Sequence, residues 1–275
     1  MGRLKTRREK LLDDRILVPE EIQIRSLHSL PEFDECVRLQ QLTWGRDIVV
    51  PSAIFVVGEH TGGFTHGAFD GKRMVGFSMA VAGFRDGQPL LHSHMAAVLP
   101  EYQNRGVGRR LKLAQRDDAL RKGIPLIEWT FDPLELKNAH FNFNRLGAIA
   151  RAYIPDCYGI TDSPLHAGLP TDRLVAEWWL DSPRVRALMD KNPSPAAPSP
   201  DLHAFRVSVP ADISELRLSH PARAVEIQSA AREQFQMNFA RGFVAFAVEK
   251  SPTTAEYLLA PAPSIPGLSL RPLTH

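Results

Sequence analysis

Between Phe64 and Leu99 the sequence reads FTHGAFDGKRMVGFSMAVAGFRDGQPLLHSHMAAVL, and two Asp-Gly pairs, Asp70-Gly71 and Asp86-Gly87, cut it into three apolar runs. Asp-Gly supplies the positive φ that primed two-residue turns require, so each pair marks a tight hairpin. Residues 64 to 99 are therefore predicted to form a three-stranded antiparallel meander. The next forty residues narrow the topology further. "PEYQNRGVGRRLK" leads into an amphipathic helix over 108–122, with Gly123 and Pro125 as stop signals, and "PLIEWTF" (125–131) reads as a strand. Strand, helix and strand over 90–131 make a crossover unit, whose two strands are parallel neighbours. A meander that feeds a parallel crossover requires a mixed sheet with helices on its faces.

The flanking segments fit that frame. "EIQIRSL" (21–27) alternates as a first strand, and the run after Ser29 repeats apolar residues at helical spacing until Gly45. "SAIFVVGEHTGG" is apolar but open as to type. "DPLELKNAHFNFNRLG" reads as a helix that starts at Asp132-Pro133, with proline in the permitted first turn, and closes at Gly147. Residues 148–154 and 174–180 complete the strands. The fold class is α/β (α+β): a mixed central sheet with flanking helices over 21–189, after a charged leader at 1–20. "DKNPSPAAPSPD" (190–201) is a Pro/Ser-rich linker. Residues 202–275 then read as a smaller α+β lobe of strand, helix and hairpin.

Charge and cysteine usage exclude several functions. The formal net charge of +2 gives no global attraction to nucleic acid or anionic membrane. Cys36 and Cys157 form no CxxC pair, so neither a disulfide framework nor a zinc site is expected, and a reducing compartment fits. No run approaches 18 apolar residues, and the basic N-terminus has no apolar segment of a secretory signal. The expectation is a soluble cytoplasmic protein with no metal; homodimerisation is left open. Trp178, Trp179 and Phe141 sit at core spacing and are read as packing.

Two glycines one residue apart, Gly106 and Gly108, exceed what a turn needs. They follow a strand and open a helix, where amides of the first turn point outward and the helix dipole adds positive charge. Without a Cβ, both let an anion reach the backbone, and Arg105, Arg109 and Arg110 supply cations around them. The chemistry indicated is a diphosphate clamp. A Rossmann fingerprint fails because Leu111 occupies its third glycine, and a Walker A loop fails for want of Lys-Ser/Thr. What remains is Gln103-Asn104-Arg105-Gly106-Val107-Gly108, the Q/R-x-x-G-x-G/A pattern.

In this place, after a meander and before a crossover helix, the pattern resembles the pyrophosphate loop of the GNAT superfamily of acetyl-CoA-dependent N-acetyltransferases. The resemblance runs from about 21 to 180 and includes Val98 five residues before Gln103 and "AHFNFNRLGA" as the family's second motif helix. It implies a GNAT-like fold and an N-acyltransferase that moves an acetyl group from acetyl-CoA to a primary amine by direct attack. The acceptor is a small molecule or peptide; nucleic acid and membrane are not implicated. It also implies that Gln103, Asn104, Arg105, Gly106, Val107, Gly108 and Arg109 hold the cofactor and that backbone amides around Ala97 and Val98 receive the oxyanion. Asn138 stands near the family's cofactor-touching Asn, whose own place falls at Leu136.

The departures concern catalysis. The family's Tyr, taken to protonate the leaving thiolate, is Phe143 here, and the motif's last aromatic is Ala148. Tyr153, Cys157 or Tyr158 can stand in, Tyr158 being the choice made here. His92 and His94 share one face of their strand by period two and stand where the serotonin N-acetyltransferase branch also carries His-x-His. His94, with His92 behind it, is the candidate for proton removal; the alternative is a pair of sheet histidines with local hydrogen bonds. Glu128 and Asp132 are further candidates as bases or ammonium ligands, although Asp132 also suits the N-cap of the following helix. Phe143 motivates the alternative function, a non-catalytic acyl-CoA-binding or regulatory protein on the same fold.

Overall fold

A computed structural model describes residues 22–45, 49–159, 168–189 and 204–268; the leader (1–20) and the linker (190–201) expected from the sequence lie outside them. The chain forms two compact units. One comprises Met1–Ala82 and Ser93–Arg121, the other Gly83–His92 and Lys122–His275. The boundary thus passes through two long strands, and the residues after 204 share a unit with those of 126–179.

The first unit is built on strand β1 (Ile22–Ser26), β2 (Phe64–Asp70), and the parts of β3 (Arg73–Arg85) and β4 (Gln88–Val98) that belong to it. The meander forms as expected, in the order β1-β2-β3-β4, with Ile22 opposite Asp70 and Phe64 opposite Ala80. Helix α1 (Leu30–Trp44) starts on a capping box in which Ser29 and Glu32 exchange hydrogen bonds. It buries Phe33, Cys36 and Leu39 on one face. The segment left open is helix α2 (Ser52–His60), whose Phe55 stacks on Phe33 with centroids 5.7 Å apart. Helix α3 (Val107–Arg121) adds Val107 and Leu111 to the same core, beside Phe77, Met79 and Ala97.

In the second unit the beginning of β4 pairs in parallel with β5 (Leu126–Phe131), at Leu91–Ile127 and His92–Glu128. The crossover inferred from the sequence is therefore present. From β5 the order runs β5-β7-β6-β9-β10-β8 through antiparallel pairs, with β6 Ile149–Ile154, β7 Arg173–Trp179, β8 Phe205–Pro210, β9 Phe243–Lys250 and β10 Thr254–Pro261. Trp178 and Trp179 are buried, as packing requires.

The helix after β5 departs from expectation. It begins only at Leu136 and spans Leu136–His140 (α4), so Asp132 and Pro133 precede it and Glu135 holds the N-cap position. Asp132 instead turns back, its Oδ1 accepting from Leu134 N–H at 2.7 Å and its Oδ2 from Arg217 at 2.7 Å. The helix then widens into a π turn over Phe141–Arg145, with Leu146 N–H bonded to Phe141 O five residues back at 3.0 Å. Two short helices, α5 (Pro183–Met189) and α6 (Ile213–Ser219), were not foreseen. Helix α7 (Pro221–Ala240) packs on β6, β8 and β9. Its Phe235 closes an aromatic cluster with Tyr257, 5.1 Å away, and Tyr257 in turn meets Phe143 at 6.1 Å. None of the described helices is long and apolar enough to cross a membrane.

Candidate functional site

The glycine loop lies wholly in the first unit. After β4, Pro100–Tyr102 form a 3₁₀ turn closed by Tyr102 N–H to Leu99 O at 2.9 Å. Gln103 reaches back with its side-chain amide to Val98 O at 2.9 Å, tying the loop to the end of the strand. Asn104 and Gly106 adopt φ of 57° and 79°, left-handed values that turn the chain into the helix and that explain a glycine at 106. Gly108 has a different reason. Its φ is not positive, and beyond its chain neighbours and its own helix backbone no described atom lies within 4 Å of where its Cβ would sit. Among the described residues, neither a positive φ nor close packing asks for glycine at 108.

The helix supplies donors there. The first helical bond joins Arg110 N–H to Gly106 O at 3.0 Å, so the amides of Val107 and Gly108 lie ahead of the helical ladder. Arg105 is exposed, with its guanidinium 5.6 Å from the Tyr102 ring centroid. Tyr102 is in turn fixed by its hydroxyl to Asp70 Oδ2 at 2.5 Å. Lys112, which the sequence shows as one more basic residue of the helix, is buried instead. Its Nζ donates to Ser93 Oγ at 2.8 Å, and Ser93 Oγ donates to Gln115 Oε1 at 2.9 Å. Burial pulls the Lys112 amine down to about 7. That side chain braces α3 against the inner face of β4, so the cations near the glycines are the arginines.

Strand β4 presents the histidines as period two predicts. Leu91, Ser93 and Ala97 are buried, whereas His94 is exposed and His92 half-buried. His94, Ala97, Val98 and the loop from Gln103 to Arg109 all belong to the first unit; His92, Asn138 and Tyr158 belong to the second.

In the second unit His92 heads a row of charged residues on neighbouring strands. The register sets His92 beside Glu128 and Glu128 beside Glu177. Arg85 ion-pairs with Glu128 and stands 3.8 Å from Glu177, while Arg151 Nε donates to Glu177 at 2.9 Å. Glu128 Oε1 lies 3.6 Å from His92 Nδ1. Sequence reasoning named Glu128 but missed Arg85, Arg151 and Glu177. Arg85 was hidden in a turn signal and Glu177 in an apolar run, and only the register reveals them as neighbours.

Of the proposed acids, Tyr158 is exposed, with its hydroxyl 2.9 Å from Thr130 Oγ1 and the Arg173 guanidinium 5.2 Å from its ring centroid. Tyr153 donates to Asp172 Oδ2 at 2.5 Å; burial and that hydrogen bond hold its proton far above the usual phenol range. It is a structural donor. Cys157 is half-buried with its backbone N–H on Thr171 O. Phe143 is fully buried between Phe131 and Tyr257. Asn138 is exposed on α4.

The fold is similar to solved acetyltransferases of low sequence identity. The ribosomal-protein-S18-alanine N-acetyltransferase of Escherichia coli is 15% identical, over 57% of this chain and 92% of that one, with a TM-score of 0.47. Arabidopsis thaliana Naa50, solved with a bisubstrate analogue, is 13% identical, over 57% and 97%, also at 0.47. The yncA protein of Salmonella typhimurium, solved with its cofactor acetyl-CoA, is 16% identical, over 65% and 99%, at 0.47. No curated protein matches the sequence. At the level of families, residues 26–148 match the acetyltransferase (GNAT) family.

Proposed function

We propose that the protein is an acetyl-CoA-dependent N-acyltransferase that acetylates a primary amine by direct attack in a ternary complex. The observation that carries the reading is Gly108, a glycine at a helix start with open space where a Cβ would be. A pyrophosphate fits that cradle. The amides of the first helical turn donate to it, and Arg105 and Arg109 offset its charge, as the loop's resemblance to the family implies. Acetyl-CoA, the cofactor solved with the Salmonella protein, supplies an activated thioester.

The chain's own groups then have defined tasks. An amine of ordinary pKa near 10 arrives protonated, and His94, exposed on β4 with His92 two residues before it, takes that proton. Backbone N–H groups around Ala97 and Val98 receive the negative charge that develops on the carbonyl oxygen. Thiolate departure needs little help, because a thiol of pKa about 8.5 is a fair leaving group. Tyr158, hydrogen-bonded to Thr130, is the proton donor where one is used.

A second reading keeps the binding without the chemistry. It rests on Phe143, fully buried where the family places its acidic tyrosine. Calorimetry with acetyl-CoA, CoA and NAD(P), followed by thiol release over a broad panel of amines, decides between them. Binding of a dinucleotide alone sinks both readings, and acetyl-CoA binding without turnover on any amine sinks the enzyme. An active enzyme whose His94→Ala variant keeps full turnover and an unchanged pH profile refutes the assigned base.

A further inference from the structure

Around the Tyr102 ring the first unit gathers two carboxylates, Asp70 and Glu101, and two guanidiniums, Arg73 and Arg105. Most of these groups are engaged locally. Asp70 Oδ2 accepts from the Tyr102 hydroxyl at 2.5 Å, and Glu101 Oε1 accepts from Arg73 Nη2 at 2.8 Å. Arg105 is the exception. Its guanidinium lies 5.6 Å from the ring centroid, and among the described residues no carboxylate stands within 4 Å of it. An aromatic ring attracts a guanidinium through its π face and uses up no oxygen acceptor, so the planar fork of N–H donors stays available to an oxyanion.

The ring itself is held at both ends. The Tyr102 backbone N–H closes the 3₁₀ turn on Leu99 O at 2.9 Å, the hydroxyl is bound to Asp70, and the body of the side chain packs against the core of the unit. An arginine on an exposed loop loses much rotamer freedom when it binds an anion, and one that already rests on a fixed ring loses less. We propose that Tyr102 is a positioning residue of the cofactor loop: its ring pre-sets the Arg105 guanidinium for the pyrophosphate, and Asp70 holds that ring in place. The proposal rests on the reading of Gln103 to Arg109 as an acyl-CoA clamp and extends the clamp beyond the loop, to the Asp70-Gly71 turn that joins β2 to β3. No spacing rule links Asp70 to Tyr102, 32 positions apart; the meander brings them together.

The test is a double-mutant cycle on the full chain, read as the Kd for acetyl-CoA by calorimetry. Arg105→Gln should weaken binding by about 10-fold, because it removes a charge-assisted contact. Tyr102→Leu should weaken it by about fivefold. Tyr102→Phe keeps the ring but loses the tie to Asp70, and should cost about threefold. In the Arg105→Gln background neither Tyr102 change should add a measurable loss, since the cation they position is gone. Asp70→Ala should match Tyr102→Phe, and the two together should be no worse than either, because both break one bond. A ring that merely packs the loop gives the same loss with and without Arg105; that result overturns the proposal, and so does wild-type affinity in Tyr102→Leu. Should Tyr102→Leu fail to fold by circular dichroism, Tyr102→Phe carries the same cycle. A wild type that binds acetyl-CoA while the cycle is additive refutes the positioning role alone. A wild type that binds neither acetyl-CoA nor CoA removes the clamp and the positioning role together.

Discussion

Replacing Gly108 by alanine separates the two reasons a glycine can occupy a helix start. In the folded chain the added Cβ meets nothing within 4 Å beyond its neighbours and its own helix backbone, and the backbone there needs no positive φ. Alanine forms helix better than glycine by up to about 1 kcal/mol, so Gly108→Ala should leave stability unchanged or raise it by roughly 0.5–1 kcal/mol. For a chain of this size that is an increase in Tm of about 1–4 °C. Binding should move the other way. A methyl group between the amide and a phosphate oxygen lengthens that hydrogen bond or displaces it, and one lost charge-assisted bond is worth about 1.5–3 kcal/mol. This corresponds to a roughly 10- to 100-fold weaker Kd for acetyl-CoA. Calorimetric titration and a thermal melt on the same preparation give both numbers. A variant that is more stable and binds acetyl-CoA as tightly as the wild type would refute the assignment of this loop to the pyrophosphate. Gly106→Ala is the contrasting control, because φ of 79° there strains any side chain and should cost about 1 kcal/mol of stability.

Three further outcomes follow from the burial of charge. The Lys112 amine is pulled by burial to about 7 from 10.5, so the unfolded chain binds more protons between those values and wild-type stability rises with pH across that window. Lys112→Met should therefore stabilise at pH 6 by roughly 2–4 kcal/mol and by progressively less towards pH 10, and a pH-independent loss in thermal melts would contradict this. Arg217, buried between Asp132 at 2.7 Å and Glu135 at 2.9 Å, neutralises the turn before α4. Arg217→Ala strands the Asp132 carboxylate and should cost about 3 kcal/mol in denaturant unfolding; a change below 1 kcal/mol would show the turn to be self-sufficient. Burial opposes charge on Glu32, but hydrogen bonds from His28, Arg25 and Ser29 outweigh it and hold the carboxyl at about 2, so its contribution is present above pH 4.5 and lost as pH falls towards 2. After allowance for solvent screening, Glu32→Gln should lose about 1–2 kcal/mol at pH 7 and almost nothing near pH 2, measured as the pH dependence of Tm.

Local signals in the sequence carry the frame of the fold because they are nearly independent of tertiary context. Asp86-Gly87 makes a hairpin turn wherever it stands between strands, and both residues do take positive φ, 51° and 72°. Ser29 and Glu32 form their capping box across three residues of chain. The start of α4 was misplaced for the opposite reason. Asp132-Pro133 is a sound helix start by local rules, yet Asp132 lies within reach of Arg217, 85 positions further on, and the chain turns there to meet it. Lys112 likewise depends on a distant partner. A lysine in a basic run belongs on the solvent face unless a distant partner accepts it, and Ser93, on the preceding strand, does.

The same division explains why the two ends of the candidate reaction were unequally legible. An anion held by backbone amides asks for glycines adjacent in sequence, so the loop from Gln103 to Arg109 could be read without any register. Proton chemistry asks for side chains adjacent in space. His92 and His94 show themselves through strand periodicity, but the residue facing His92 is fixed by the parallel register that sets it against Glu128, 36 positions later. Glu128 in turn ion-pairs with Arg85 on β3. A carboxylate paired to a guanidinium is a poor base on its own and a good anchor for an imidazole. The register therefore shows what periodicity cannot: Glu128 lies among His92, Arg85 and Glu177 rather than alone.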